Sequence, residues 1–244
     1  MVDTGKITTI IVIIGIIIAG LYVLTDVAYY SSKISIEKDI SSPVLVIPSI
    51  GLNEKINNVS LSQGVMIDEI SRLPTDGVVV LHGHRTSYGS PFFRLNEVKV
   101  GDTISLEWPG KGQVNYTVKN TTIVSPSYTI PVNNETQNIY LVTCDPPGFT
   151  INRLIITGEM SDLGPLNDII VKENPNMQNA LVFCIIFLII GLVLSYFYPY
   201  KEYRLFILAT VLIIVGILFF AYFVPIDPDI PGSVVKALNG EFGP

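Results

Sequence analysis

Charge is scarce in this chain. Asp, Glu, Lys and Arg supply only 15% of its 244 residues, while 49% are hydrophobic, too lean a ratio for a chain lying wholly in water. Basic residues are the scarcer kind: 15 Lys and Arg against 21 Asp and Glu leave a formal net charge of -6, so no positive face is offered to nucleic acid. Cysteine and histidine are nearly absent, with two of each. Cys184 lies in an apolar run and Cys144 in a mixed segment, which excludes a disulfide scaffold and leaves Cys144 a free thiol. Any imidazole chemistry is confined to His82 and His84.

Long apolar runs are what the sequence does have. Ile7–Leu24 carries no charge and reaches about 27 Å at about 1.5 Å per residue, close to the ~30 Å hydrocarbon core of a bilayer. A cleaved signal peptide would have a shorter apolar core, and Asp26 suits its cleavage site poorly, so an uncleaved anchor over residues 1–25 is expected. Ala180–Tyr198 and Leu205–Val224 form two further spans within 180–224, and the six-residue connector Pro199–Arg204 between them dictates an antiparallel hairpin. Lys201, Arg204 and Lys6 place the connector and the N-terminus on the cytoplasmic side, and hence Thr25–Asn179 outside. Four Asn-x-Ser/Thr patterns, at Asn58, Asn115, Asn120 and Asn134, all fall in that outer segment. Residues 26–42 and 161–179 read as linkers, and 225–244, rich in Pro and Gly, as an irregular tail outside the membrane.

Residues 43–160 have another texture. Short β-branched runs at Val44–Ile47, Val78–Leu81, Thr103–Leu106, Asn115–Val118, Ile139–Val142 and Leu154–Thr157 alternate with turn residues such as Gly101-Asp102 and Pro109–Gly112. This predicts a mainly β domain, a small barrel or sandwich, in which Leu61–Leu73 is the only stretch with room for a short helix.

The residues able to carry chemistry stand at the ends of these runs. Cys144 closes Ile139–Thr143, and Asp145-Pro146-Pro147-Gly148 forces the chain out of the strand, so the thiol sits where a rigid strand meets an open loop. Taken alone, such a Cys is as consistent with an inert small hydrophobe. His82 and His84 share one face at a spacing of two, which suits a metal as well as an acid/base role, although no second ligand cluster accompanies them. Arg153 follows Cys144 at a distance that suits a hairpin return, or it is a solvated surface charge.

Several of these segments, taken in order, resemble the sortase family of cysteine transpeptidases. Leu45–Ile50 is similar to its opening strand, Gly83-His84-Arg85 to its histidine motif, and Phe93-Arg94-Leu95 with Val100-Gly101-Asp102 to the segment that follows. Leu141-Val142-Thr143-Cys144 resembles the Thr-Leu-x-Thr-Cys strand end, and Arg153-Leu154-Ile155-Ile156 the arginine strand. The resemblance implies a closed β-barrel of about eight strands, carried here with one N-terminal and two C-terminal transmembrane helices. It implies Cys144 as nucleophile, His84 as acid/base and Arg153 as cationic stabiliser, with neither metal nor cofactor; as supporting candidates, Thr143 is either a hydroxyl that helps the thiol or a plain β-former, and His82 either hydrogen-bonds the site or fills the barrel end. His82 departs from the family pattern, which has a small residue there, and two C-terminal spans are unusual. The implied reaction cleaves a Thr-containing sorting signal of secreted or membrane-bound proteins through a thioester and passes the acyl group to an amine. The rival functions are a thiol peptidase that uses water instead, a His-x-His metal hydrolase, an L,D-transpeptidase, whose Arg would stand nearer the Cys, and a β-domain that only binds an envelope partner.

Overall fold

The structure, a computed structural model, describes residues 4–36, 43–133, 135–172 and 176–238. The chain divides into two compact units, 36–175 and the pair of segments 1–35 and 176–244.

The first unit is a closed barrel of eight strands. They are β1 (Val44–Ile47), β2 (Leu52–Asn57), β3 (Val65–Ile67), β4 (Val79–His82), β5 (Thr103–Trp108), β6 (Gly112–Val124), β7 (Asn138–Asp145) and β8 (Asn152–Gly164). Around the barrel the order is β1-β2-β3-β4-β7-β8-β6-β5, and β5 pairs with β1 to close it. Pairing is antiparallel except for β2 with β3 and β4 with β7, so the barrel is mixed. All six β-branched runs lie in or overlap strands.

The two remaining strands carry weaker sequence signals. Leu52–Asn57 includes Glu54 and Lys55 and reads as polar, yet pairing with β1 holds it in the barrel and buries both charged residues. Of the stretch expected to be helical, only Leu61–Gln63 is helical, as one turn of 3-10 type. Gly64 then takes φ 128, a conformation open to glycine and few others, and Val65–Ile67 is drawn into pairing with both β2 and β4.

Residues on β4, β7 and β8 alternate between two apolar layers. Val79, Leu81, Ile139, Leu141, Leu154 and Ile156 point into the barrel core, while Val80, Val142 and Ile155 join Val78 in a second cluster on the opposite face. Val124, Ile130, Val132 and Tyr140 pack onto that outer cluster. Burial on both faces explains why these strands read as unbroken apolar runs instead of alternating ones.

Beyond the expected boundary at residue 160, β8 continues to Gly164 in register with β6. Asn167 then donates its backbone N–H to Glu107, a fully buried carboxylate that also accepts from Gln113. The expected linker 161–179 therefore begins as barrel and contains the short helix α2 (Asp168–Lys172), while its residues 173–175 lie outside the described residues.

The second unit holds α1 (Thr4–Ile36), α3 (Met177–Phe197), α4 (Arg204–Phe223) and α5 (Asp229–Leu238). Three helices, over Thr4–Ser31, Gln178–Phe197 and Lys201–Phe223, are long and apolar enough to cross a membrane. The connector between α3 and α4 is fastened by Arg204, which donates to the Tyr198 carbonyl at 2.8 Å, and by Tyr198, whose hydroxyl meets Thr9 Oγ1 at 2.8 Å. Residues 26–36, expected in a linker, continue α1. No Pro or Gly interrupts them, and Tyr30 stacks on Phe183 of α3 with ring centroids 6.1 Å apart. The rest of that linker, 37–42, lies outside the described residues. The tail, expected to be irregular, contains α5. Pro231 falls in its first turn, where a missing N–H costs nothing, and Asp227 accepts the backbone N–H of Asp229 at 2.9 Å.

Candidate active site

The end of the barrel where β4 and β7 run out gathers the residues singled out by sequence. Cys144 is directly opposite Arg153 in the antiparallel β7–β8 ladder, so the two side chains leave the same face. Arg153 Nη1 lies 3.7 Å from the Cys144 sulfur and also reaches the carbonyls of Thr150 and Asn152, at 3.4 and 3.2 Å. The guanidinium is thereby held at the base of the β7–β8 loop. Both side chains are partly exposed.

The histidine loop is fastened to the same strand end. In the parallel β4–β7 ladder His82 is level with Val142, and the Gly83 N–H continues the pairing to the Val142 carbonyl at 3.2 Å. Thr143 turns inward, away from the Cys144 face, and its buried hydroxyl donates to the Gly83 carbonyl at 2.8 Å. His84 follows Gly83 directly, beyond the last paired residue of β4. The carbonyl of His84 accepts the Phe92 N–H at 3.0 Å, and its ring lies 5.2 Å from that of buried Tyr88. Gly83 is required by packing: a Cβ there would stand 2.6 Å from the Phe92 ring.

His82 is engaged elsewhere. Its Nε2 lies 2.6 Å from Asp68 Oδ2, beside the β3–β4 pairing, with both side chains about a quarter exposed. Among the described residues no three of His, Cys, Asp and Glu come together as a metal-binding group. Of the four glycan-acceptor patterns, Asn58 and Asn120 are exposed, Asn115 is tied to Ser105 inside the β5–β6 ladder, and Asn134 lies outside the described residues.

Arg85 stood out in the sequence only as part of the Gly83-His84-Arg85 motif, with no role of its own. It follows His84 and is 5% exposed, with Nη1 donating to the Cys144 carbonyl at 3.1 Å and to Asp145 Oδ1 at 2.5 Å, and Nη2 donating to Asn96 at 2.9 Å. The signal available in the sequence was an arginine directly after the histidine with an aspartate directly after the cysteine, two charges next to two reactive groups.

Comparison with protein families matches residues 37–161 to the sortase domain. Comparison with curated proteins gives no match. Among solved structures the chain is similar to a lid mutant of sortase A from Corynebacterium diphtheriae, at 26% identity over 51% of this chain and 72% of that one, with a TM-score of 0.47. It is also similar to sortase C-1 from Actinomyces oris, at 30% identity over 50% of this chain and 73% of that one, with a TM-score of 0.45. Sortase C from Clostridium perfringens is similar at 28% identity over 49% and 69% of the respective chains, with a TM-score of 0.43. With the family model covering half of its length, this chain belongs to the sortase family of cysteine transpeptidases.

Proposed function

We propose that this sortase-family chain is a membrane-anchored transpeptidase working on the outer side of the membrane, with Cys144 as nucleophile, His84 as acid/base and Arg153 as stabilising cation. Cys144 attacks the carbonyl carbon of a Thr-containing sorting signal on a secreted or membrane-bound protein. The peptide C–N bond breaks, His84 gives a proton to the leaving amine, and a thioester to Cys144 remains. An incoming amine then attacks that thioester, giving its proton to His84 as the new amide forms and the C–S bond breaks to release the Cys144 thiolate. The outcome is surface anchoring or pilus assembly of the substrate protein.

The observation that carries the reading is the placement of Arg153 Nη1 at 3.7 Å from the Cys144 sulfur by direct strand pairing. Guanidinium stays protonated at any working pH and presents several donors in a fixed fork, so a donor at this point can hold the oxyanion that develops on the carbon bonded to the sulfur. The anchoring part rests on the three apolar helices, with Lys6, Lys201 and Arg204 on the cytoplasmic side.

The test uses the full chain in detergent with a panel of Thr-containing signal peptides, with and without an added amine, and a chelator control. The expected result is amine-ligated product that survives the chelator. Cleavage without transfer at any amine concentration would make the protein a thiol peptidase, and loss of turnover with chelator would restore the metal reading.

A further inference from the structure

Arg85 places a buried guanidinium between the nucleophile and the residue that follows it. Burying an arginine is costly unless its donors are matched, and here three of its hydrogen bonds reach three separate positions: the Cys144 carbonyl, the Asp145 carboxylate and the Asn96 side chain. Its Nε is buried with no partner among the described residues, so the side chain sits where it does despite one unmade bond. Two consequences follow for the thiol. The carbonyl of Cys144 is fixed at the point where β7 ends, which sets the direction of the Cα–Cβ bond. Asp145, only 20% exposed, would set a bare negative charge one residue from the sulfur, and such a charge opposes formation of a thiolate. The Arg85 ion pair at 2.5 Å offsets that charge.

We propose that Arg85 is a positioning residue for Cys144, fixing its main chain and neutralising the Asp145 carboxylate beside the thiol. This rests on the reading of Cys144 as nucleophile. It assigns Asp145 the role of anchor for Arg85, and it makes the adjacent His84-Arg85 pair a division of labour in which one residue moves protons and the other holds the sulfur in place.

The test is the rate of alkylation of Cys144 by iodoacetamide at pH 7, in the full chain carrying Cys184→Ala so that one thiol reports. It needs no substrate, so the role of Arg85 is decided even in a protein that transfers no peptide. Arg85→Gln is expected to slow alkylation about tenfold. Arg85→Gln with Asp145→Asn is expected to recover most of the rate, and Arg85→Lys to keep a larger share of it than Arg85→Gln. A purely structural staple predicts instead that the double variant is as slow as the single one, and that result would overturn the proposal. Where Arg85→Gln fails to fold, Asp145→Asn alone decides: faster alkylation than the parent supports the proposal, and an unchanged rate defeats it.

Discussion

The two cysteines occupy opposite kinds of surroundings. Cys184 lies mid-helix in α3, fully buried among apolar side chains. Cys144 lies at the end of β7, partly exposed, with a guanidinium opposite it, a second guanidinium behind its carbonyl and a histidine loop fastened beside it. A thiol among hydrocarbon is packing; a thiol where a rigid strand gives way to a loop, among fixed donors, is poised for chemistry. The same contrast separates the two units. In the three long helices of the helical unit, apolar residues lie on every side, buried and exposed alike. In the barrel, alternation sends each neighbouring pair of residues to different layers, and at the strand ends the outward layer turns from Val80 and Val142 to His82 and Cys144.

Replacing Cys144 should break the comparison outright. Cys144→Ala is expected to lose all transfer and all covalent adduct, read by product analysis. Next in size, Arg153→Ala should lower kcat about 10²-fold or more, the usual cost of removing one donor from a developing oxyanion, read by steady-state kinetics. Gly83→Ala sharpens the comparison from the packing side. Its new Cβ would press on the Phe92 ring at 2.6 Å, so a loss of about 1–3 kcal/mol in chemical unfolding and a fall in kcat are both expected, because Phe92 holds the His84 carbonyl.

Tyr116 probes the barrel interior, away from the site. Its hydroxyl is buried with no partner among the described residues, and burial pushes its phenol above the ordinary tyrosine range. A phenol so raised favours the fold while neutral, and that share of stability is lost as pH rises past the unfolded value of about 10. Tyr116→Phe should therefore gain about 1 kcal/mol at neutral pH and flatten the alkaline fall in stability, measured by thermal melting across pH 7–11. The smallest effect belongs to Cys184→Ala, expected to leave the rate of peptide transfer within about twofold of the parent. A large loss there would erase the distinction between the two thiols.

Much of this organisation was legible because it is written in local pattern. The three apolar helices follow from uncharged runs of the right length, and six strands from β-branched runs between turns. Cys144, His84 and Arg153 stood out as scarce or charged residues at run ends. What escaped depends on contacts distant in sequence. Strand β2 carries Glu54 and Lys55 and is made a strand by its pairing with β1. Strand β3 is short and owes its form to two neighbours. The polar residues after Tyr30 hid the continuation of α1, which packing of Tyr30 on Phe183 supports. Arg85 could not be placed from sequence because its partners, Cys144 and Asp145, lie some sixty positions away, and Thr143 owes its tether to Gly83 to the same parallel pairing.

The most direct test of the account is the intact mass of the full chain, trapped during reaction with a Thr-containing signal peptide and followed by peptide mapping. The account predicts an acyl adduct located on Cys144 alone, absent from Cys144→Ala, and discharged into amide product when an amine is added. An adduct on another residue, or amide product formed by Cys144→Ala, would contradict it.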